Sequence, residues 1–240
     1  MASEESTSRV ESLGETFAEV ARTLRGERSV QATLDKIVEL AVKTIDGCEH
    51  AGVTLVERGK MRTPAASDEI PRLVDAVQYE TGEGPCLDAI RDHDVFQTDD
   101  LTQEPRWPNF SRRAAEESGV ASMLAYRLYI EEDTMGSLNL YSMQEAAFDA
   151  EDRAVGSIFA AHAAVALSAA NQQDNLEQAI ETRDVIGQAK GILMARQHVS
   201  ADEAFEMLRR ASQRLNIKLR VLAKQVATEP NSPGSPPPST

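Results

Sequence analysis

The sequence is poor in cysteine and in long apolar segments. Its two cysteines among 240 residues, Cys48 and Cys86, are too few for a disulfide scaffold and are typical of reduced thiols inside a cell. No apolar run approaches the roughly 20 residues that cross a bilayer. The acidic residues 1–5 are unlike the basic and then apolar start of a signal peptide. We therefore expect a cytoplasmic protein without a membrane partner.

Catalytic and metal-binding motifs are also missing. The chain has no glycine-rich phosphate loop, no nucleophile elbow and no arrangement of Ser, His and Asp that the sequence singles out. Its four histidines, His50, His93, His162 and His198, lack the spacing of metal ligands. These absences predict a protein that is not an enzyme and that holds neither a metal nor a cofactor.

Charge is distributed unevenly along the chain. The net charge of −14 would by itself argue against a nucleic-acid partner, because an acidic surface repels a polyanion. Residues 183–228, however, contain nine Lys and Arg against four Asp and Glu, a net charge of +5, which leaves −19 for the rest of the chain. The pattern indicates a basic C-terminal module attached to an acidic body.

Hydrophobic spacing predicts an α+β fold for the body, with a central antiparallel sheet flanked by helices. Apolar residues repeat at three and four positions in two segments before residue 47, and short β-branched segments follow. A hairpin is predicted around the acidic turn at 131–134. The predicted elements are helices over 6–26, 30–47, 73–79, 86–90 and 110–117 and strands over 51–56, 61–63, 95–98, 121–130 and 135–142.

A long helix is predicted over 149–197, because alanine dominates residues 160–170 and only glycines interrupt the helical pattern. We expect one face of this helix to meet its twin in a homodimer. Arg183 and Gly187 would fall in the same seam, so the predicted coiled coil is short and local. The expected seam consists of Phe159, Ala163, Ala166, Ala170, Gln173, Leu176 and Ile180.

Two shorter helices are predicted after it. Ser200 and Glu203 have the spacing of a capping box at the start of the first, and Asn216 is expected to cap the start of the second. The Pro-, Ser- and Gly-rich residues 231–240 are expected to be disordered. A three-helix core is predicted from Ile186, Leu193, Met194, Phe205, Leu208, Leu219, Leu222 and Val226.

Several short motifs stand in order in this C-terminal region. They are Arg-Asp-Val-Ile-Gly-Gln-Ala-Lys-Gly-Ile-Leu-Met at 183–194, Ala-Phe at 204–205, Leu-Arg at 208–209, Asn-Ile-Lys-Leu at 216–219 and Val-Leu-Ala at 221–223. Together they resemble an ANTAR domain, the three-helix RNA-binding module of bacterial transcription antiterminators. The resemblance implies an all-α ANTAR domain over 183–228.

The body carries a second group of motifs. They are Tyr-Glu-Thr-Gly-Glu-Gly-Pro-Cys at 79–86, Pro-Arg-Trp-Pro at 105–108 and Leu-Asn-Leu-Tyr at 138–141. These residues resemble a GAF domain of the kind joined to ANTAR modules in actinobacteria. The implied organisation is an N-terminal helix over 1–29, a GAF sensor domain over 30–168, a helical coiled-coil linker over 169–182, the ANTAR domain over 183–228 and a tail over 229–240.

The combined resemblance to GAF-ANTAR antiterminators implies a function. A dimer would bind paired hairpins with hexanucleotide loops in nascent messenger RNA, near RNA polymerase, and would prevent an overlapping terminator stem. The GAF domain would be the signal input, with a small molecule as its ligand. Many relatives carry a receiver domain instead, but its N-terminal strand with paired aspartates is missing here, so control by aspartyl phosphorylation is not expected.

The family motif implies which residues contact RNA. We expect no exposed aromatic side chain in this module, so an arginine plane would have to stack on a base. Solvation of a basic helix face is the simpler alternative for the charges, and their clustering favours RNA. The implied contacts are Gln188, Lys190, Gly191, Arg209, Asn216 and Lys218, and the basic surface adds Arg210, Arg214 and Arg220.

Glu83, Cys86 and Trp107 are the candidates for a GAF pocket. Cys86 is either a redox sensor or a small buried hydrophobe, and the lack of a neighbouring Lys or Arg that would lower its pKa favours the second. Trp107 either lines the pocket or fills the edge of the core. Some GAF domains are methionine sulfoxide reductases, but that chemistry relies on a set of catalytic cysteines, and this chain has two cysteines in all.

An alternative function is a GAF-type small-ligand sensor whose C-terminal helices bind protein or DNA. The short connections at 197–200 and 215–217 leave a helix-turn-helix open. Competition between hairpin RNA and duplex DNA would separate the two functions.

Overall fold

The computed structural model describes residues 2–27, 29–57, 60–92, 95–131 and 134–228. The chain divides into two compact units, Met1–Gln172 and Gln173–Thr240, called the N-terminal unit and the C-terminal unit below. His93, the centre of the predicted acidic turn and the predicted disordered tail lie outside the described residues.

The α+β prediction is confirmed, and the helices and strands follow in the predicted order. Ser29 begins the second helix, since its hydroxyl accepts a hydrogen bond from the Ala32 amide. The helices are α1 (Ala2–Arg25), α2 (Val30–Thr44), α3 (Glu69–Thr81), α4 (Pro85–Asp92), α5 (Ser111–Ser118), α6 (Ala150–Gln197), α7 (Ala201–Leu215) and α8 (Leu219–Thr228). The strands are β1 (His50–Glu57), β2 (Lys60–Ala66), β3 (Val95–Thr98), β4 (Ser122–Glu131) and β5 (Thr134–Ser142).

The five strands form one antiparallel sheet in the order β2-β1-β5-β4-β3. Thr54 of β1 lies opposite Ser137 of β5, and Met123 of β4 lies opposite Tyr141. Side chains alternate between the faces of a sheet, and Asn139 is two positions from both Ser137 and Tyr141. The polar side chains of Thr54, Ser137, Asn139 and Tyr141 therefore share one face.

The other face of the sheet carries the main apolar core. Strand residues such as Val53 and Leu138 pack there with buried side chains of α1, α2 and α6. On α6, Phe159 and Leu167 are completely buried in this core. A second apolar cluster lies on the polar-bearing face, between the sheet and helices α3 and α5, and includes Trp107.

The expected dimer seam is wrong in its first half. Phe159 and Ala163 are fully buried in the core of their own unit, so they are not available to a second copy. The three-and-four pattern there follows the sheet-facing side of α6. The large apolar side chains that α6 leaves exposed are Ile158, Val165, Leu176, Ile180 and Met194.

Helix α6 also corrects the expectation that no segment is apolar enough for a bilayer. By length and composition alone, it could cross a membrane, although a third of the relevant 18-residue window is buried inside the protein. Phe159 and Leu167 of this helix are buried in the core of the N-terminal unit.

The C-terminal unit packs the end of α6 with α7 and α8 around a small core of Ala189, Leu208, Leu222 and Ala223. Two predicted core residues are misplaced, since Met194 is 38% exposed and Phe205 is not among the side chains packed in this core. The predicted capping box of Ser200 and Glu203 is confirmed.

Asn216 does not cap the start of α8 as expected. It ends α7 in the left-handed conformation, with φ of 53°, and its amide donates to the carbonyl groups of the last turn. Short polar side chains such as asparagine tolerate this backbone conformation better than most residues.

Candidate functional site

An open cleft of about 900 Å³ lies in the C-terminal unit, lined by residues of α6, α7 and α8. We call it the basic cleft. Three of the residues that the sequence assigned to RNA contact line it: Gln188, Lys190 and Arg220. A smaller cleft of about 250 Å³ shares Arg220 with it and adds Lys224. The cations of the two clefts lie beside one acidic residue in each, Asp184 in the larger cleft and Glu181 in the smaller one.

The wall of the basic cleft contains an aromatic ring. Phe205 lines it and is half-buried, and the Lys190 ammonium lies 5.8 Å from the centre of its ring. Such a separation allows a cation–π contact. Phe205 is not among the exposed hydrophobic side chains, so it offers the cleft only part of its surface. The spacing Ala204-Phe205-Leu208 predicted a core face, whereas only Ala204 and Leu208 are buried.

Two arginines of α7 lie close to one carboxylate. Arg209 donates to both oxygens of Glu206, at 2.9 Å from Nε and 2.7 Å from Nη2, and Arg210 lies 3.9 Å from the same group. The hydrogen bond from Arg209 lowers the pKa of Glu206 below its ordinary range. RNA contact by Arg209 would have to compete with this ion pair.

The remaining residues that the sequence assigned to RNA contact lie outside the walls of the basic cleft. Arg214, Asn216 and Lys218 are exposed around the end of α7. Gly191 is exposed on α6, where an added Cβ would have no atom within 4 Å.

A buried polar cluster centred on Asp75 lies in the N-terminal unit. Asp75 is completely buried on α3 and faces the polar side of β1 and β5. Burial raises the pKa of its carboxyl, although the hydrogen bonds oppose this shift. Side chains that donate to Asp75 at 2.7–3.4 Å are Thr54, Thr63, Gln78, Asn139 and Tyr141.

Cys86 belongs to the same cluster. Its thiol is fully buried, 2.9 Å from the Ser137 hydroxyl. Burial raises the pKa of this thiol to about 12, so the nucleophilic thiolate is scarce at neutral pH. Cys48 is also buried, and its pKa is likewise raised to about 12. This environment supports the interpretation of Cys86 as a buried small side chain.

The glycine-rich motif before Cys86 serves the polar cluster. Gln78 donates to Asp75 through Nε2, at 3.1 Å, and its Oε1 accepts from the Cys86 amide at 3.0 Å. Gly84, with φ of 134°, leaves no room for a side chain, because an added Cβ would lie 2.7 Å from Cγ of Gln78. The motif therefore lets the chain pass close to Gln78.

The three candidates for a GAF pocket have different surroundings. Glu83 accepts a hydrogen bond of 2.8 Å from the Asn109 amide, and contacts with Asn109 lower the pKa of its carboxyl. Trp107 is buried in the second apolar cluster, and its indole donates to Asp88 at 2.7 Å. Only Cys86 of the three joins the Asp75 cluster. Glu83 and Trp107 thus connect the loop before α5 to the region of α4.

Sequence reasoning missed the Asp75 cluster. Asp75 occupies a polar position in an amphipathic helix, and its donors come from strands more than 60 residues further on as well as from β1. The described residues contain no group of three or more His, Cys, Asp or Glu that could hold a metal ion.

Comparisons with protein families identify both parts of the chain. A GAF domain model matches residues 27–168, and an ANTAR domain model matches residues 174–226. A comparison with the curated proteins finds no match.

Solved structures with GAF-like folds are similar to the N-terminal part. The reduced fRMsr of Staphylococcus aureus has 15% identity and a TM-score of 0.51, over 65% of this chain and 94% of that chain. The GAF domain of a phosphoenolpyruvate-protein phosphotransferase from Coxiella burnetii has 14% identity and a TM-score of 0.51, over 68% and 96%. A free methionine-R-sulfoxide reductase from Neisseria meningitidis, in complex with its substrate, has 17% identity and a TM-score of 0.49, over 67% and 90%. At these identities, the similarity shows the fold alone.

Proposed function

Since this chain belongs to the GAF domain family and carries an ANTAR domain behind its GAF domain, we propose that it is a dimeric transcription antiterminator. ANTAR domains are RNA-binding domains of antiterminators, and GAF domains are sensor domains. In the proposed mechanism, two copies bind two hexaloop hairpins in nascent messenger RNA. Occupied hairpins cannot give way to the overlapping terminator stem, so transcription continues.

The basic cleft is the observation that carries the RNA-binding part of this proposal. Lys190 and Arg220 reach it from different helices, and Gln188 adds an amide that can both donate and accept hydrogen bonds. Cations contact the phosphates of RNA, whereas amides and aromatic rings recognise unpaired bases. The proposed contacts of Gly191, Arg209, Arg210, Arg214, Asn216 and Lys218 extend this surface.

Two pairs of exposed apolar side chains on α6, one pair in each unit, support the dimer. Ile158 and Val165 are seven residues apart, Leu176 and Ile180 are four apart, and all four are about half exposed or more. These are spacings of a coiled-coil seam, in which apolar side chains of two helices interlock. A parallel pair of chains would supply one RNA-binding unit for each of two hairpins.

We assign signal input to the polar side of the GAF sheet, around Asp75 and Cys86. This face combines buried donors and acceptors with an apolar cluster that includes Trp107. Sites for small ligands combine apolar linings with a few convergent polar groups. Calorimetric titration with candidate metabolites, in parallel with Asp75→Asn, tests this assignment. If the parent and Asp75→Asn give equal heats of binding, the ligand does not bind at the Asp75 cluster.

The binding experiment compares a tandem hexaloop hairpin with a single hairpin, a loop-scrambled tandem RNA and duplex DNA of equal length. Fluorescence anisotropy of the full chain over a series of salt concentrations gives each affinity. We expect the tandem RNA to bind most tightly and its affinity to fall as salt rises, because phosphate contacts release counterions. Duplex DNA binding as tight as that of the tandem RNA would favour a DNA-binding sensor instead.

Single-charge variants localise the contact. Lys190→Ala and Arg220→Ala should each weaken RNA binding and reduce the salt dependence by about one phosphate contact. Arg112→Ala removes the same charge from an exposed position of α5 in the N-terminal unit and is the matched control. Equal affinities for all three variants would exclude the basic cleft.

Antitermination itself is tested by transcription in vitro from a template whose terminator stem overlaps the second hairpin. The protein should raise readthrough, and Lys190→Ala should not. Sedimentation measures the dimer, which Val165→Glu and Leu176→Glu should dissociate.

A further inference from the structure

We infer that Phe205 is a stacking surface for one unpaired base of the bound RNA, with Lys190 and Arg220 holding the phosphates beside that base. The inference rests on the proposed function and specifies how its RNA site recognises a nucleotide. It assigns base stacking to an aromatic ring on α7, where the arrangement of charges alone would leave this task to an arginine.

The position of the ring supports this role. The core of the C-terminal unit closes around Ala189, Leu208 and Leu222, which are at most 8% exposed. Phe205 lies beside this core, half-buried, with part of its ring in the wall of the basic cleft. The ring is thus fixed by the helix and still accessible from the cleft, as a stacking surface must be.

The neighbouring lysine can give way to a base. The Lys190 ammonium lies 5.8 Å from the ring centre, near the outer limit of a cation–π contact. Its stem is flexible, so the ammonium can move from the ring to a phosphate when a base stacks. The lysine charge thus contacts the aromatic ring in the free protein and a phosphate in the RNA complex.

Other groups in the basic cleft match the remaining parts of a nucleotide. Asn175 and Gln188 line it, and their side-chain amides can bond the polar edge of a base. Gly187 leaves space above α6, because an added Cβ would meet no atom within 4 Å. The volume of about 900 Å³ lies within the range of about 300–1,000 Å³ that is common for ligand sites.

The charge of the cleft favours RNA over a second copy of this chain. Arg183, Lys190 and Arg220 line it against one acidic residue, Asp184. A two-fold dimer contact through these walls would bring like charges together, whereas phosphates neutralise them. Leu176 and Ile180 of α6 are exposed and apolar, and they offer the dimer a seam outside the walls of the cleft.

The test uses hexaloop RNAs that carry 2-aminopurine at one loop position at a time, because stacking on an aromatic ring changes the fluorescence of this base. Phe205→Leu keeps the apolar volume and removes the ring, and Phe205→Tyr keeps the ring. We expect Phe205→Leu to bind about tenfold more weakly and Phe205→Tyr to bind like the parent. One loop position should change its fluorescence with the parent and Phe205→Tyr, and not with Phe205→Leu.

Phe205→Trp gives an independent readout if Phe205→Leu lowers the melting temperature. The other tryptophan, Trp107, is buried in the N-terminal unit. RNA should quench the new indole, and loop-scrambled RNA should not. Absence of quenching while the RNA is bound would overturn the inference.

The outcomes separate the inference from the proposed function. If the parent protein does not bind hairpin RNA at all, the proposed function itself fails. If the parent binds and Phe205→Leu matches it in affinity and fluorescence, the stacking role of Phe205 is wrong. If Phe205→Leu dissociates the dimer in sedimentation and leaves RNA affinity unchanged, the cleft is an interface between copies, which also overturns the inference.

Discussion

The hydroxyl of Tyr141 donates a hydrogen bond of 2.8 Å to Oδ1 of Asp75, inside the N-terminal unit. Both residues are completely buried, and they are 66 positions apart in the sequence. The bond joins β5, the central strand of the sheet, to α3, the helix that leads into the glycine-rich motif. Removing this hydrogen bond therefore tests how the buried polar cluster contributes to the stability of the fold.

Tyr141→Phe should destabilise the N-terminal unit by about 1–3 kcal/mol, because it removes one donor from a buried carboxyl. Urea unfolding followed by circular dichroism measures the change. Tyr129→Phe makes the same substitution at a position that is 60% exposed and should leave the stability unchanged. Equal stabilities of the two variants would contradict a structural role for this hydrogen bond.

Asp75 should make stability depend on pH. Burial raises the pKa of its carboxyl in the folded state above the ordinary value of 3.8. The folded protein therefore keeps a proton that the unfolded chain releases, and this contribution to stability is lost as pH rises from 3.8 through the raised pKa.

The measurement compares Asp75→Asn with the parent from pH 5 to pH 8. Asparagine has no proton to lose, so the free energy of unfolding of Asp75→Asn minus that of the parent should increase with pH. Asp46→Asn, at an exposed position of the same unit, is the control. A difference that falls with pH would show that hydrogen bonding outweighs burial at Asp75.

Both thiols should resist modification in the folded protein. Cys48 and Cys86 are buried, and burial raises the pKa of each to about 12. Titration with a disulfide reagent at pH 8 should detect no fast thiol in the native state and two after denaturation. One fast thiol that disappears in Cys86→Ser would support a redox role for Cys86.

Two glycines of α6 should respond to alanine in opposite ways. At Gly156, an added Cβ would lie 2.6 Å from Cζ of the buried Tyr126, so Gly156→Ala should destabilise the protein by about 1–3 kcal/mol. At Gly191, the Cβ would meet nothing within 4 Å, and Gly191→Ala should stabilise the helix by about 0.5–1 kcal/mol. Calorimetry of both variants checks the signs. Destabilisation by Gly191→Ala would indicate a contact absent from the structure.

Asn216 combines a backbone role with a proposed RNA contact, and two substitutions separate them. Asn216→Gly suits φ of 53° and should keep the melting temperature, whereas Asn216→Ala should cost about 1–2 kcal/mol. RNA affinity should fall in both if the side chain contacts RNA. If Asn216→Gly binds RNA as tightly as the parent protein does, the side chain of Asn216 does not contact RNA and the residue acts only in the turn.

The sequence predicts the fold well because its signals are local. Helix periodicity, strand alternation and the capping box at Ser200 depend on neighbours a few residues away. Periodicity does not show what a helix face packs against. Phe159 and Ala163 have the spacing of a dimer seam, yet they pack against the sheet of their own unit.

The candidate site is less predictable for the same reason. Ala204, Phe205 and Leu208 share an apolar face in the sequence, and only the packing of three helices shows that Phe205 lies at its edge. Asp75 has the polar character of a solvent-facing residue. Its burial depends on donors that the sheet brings from distant positions, such as Tyr141.

Ten consecutive residues of α6, 172–181, are all exposed. Isolated helical segments of this length are marginally stable in water, because helix stability in proteins comes mainly from packing. Amide protons in this stretch should therefore exchange with deuterium faster than those near Phe159 or Ala189, so a lone chain would open its helix from the middle outward. If exchange in this stretch becomes slower as the protein concentration rises, a second copy of the chain covers these turns of α6.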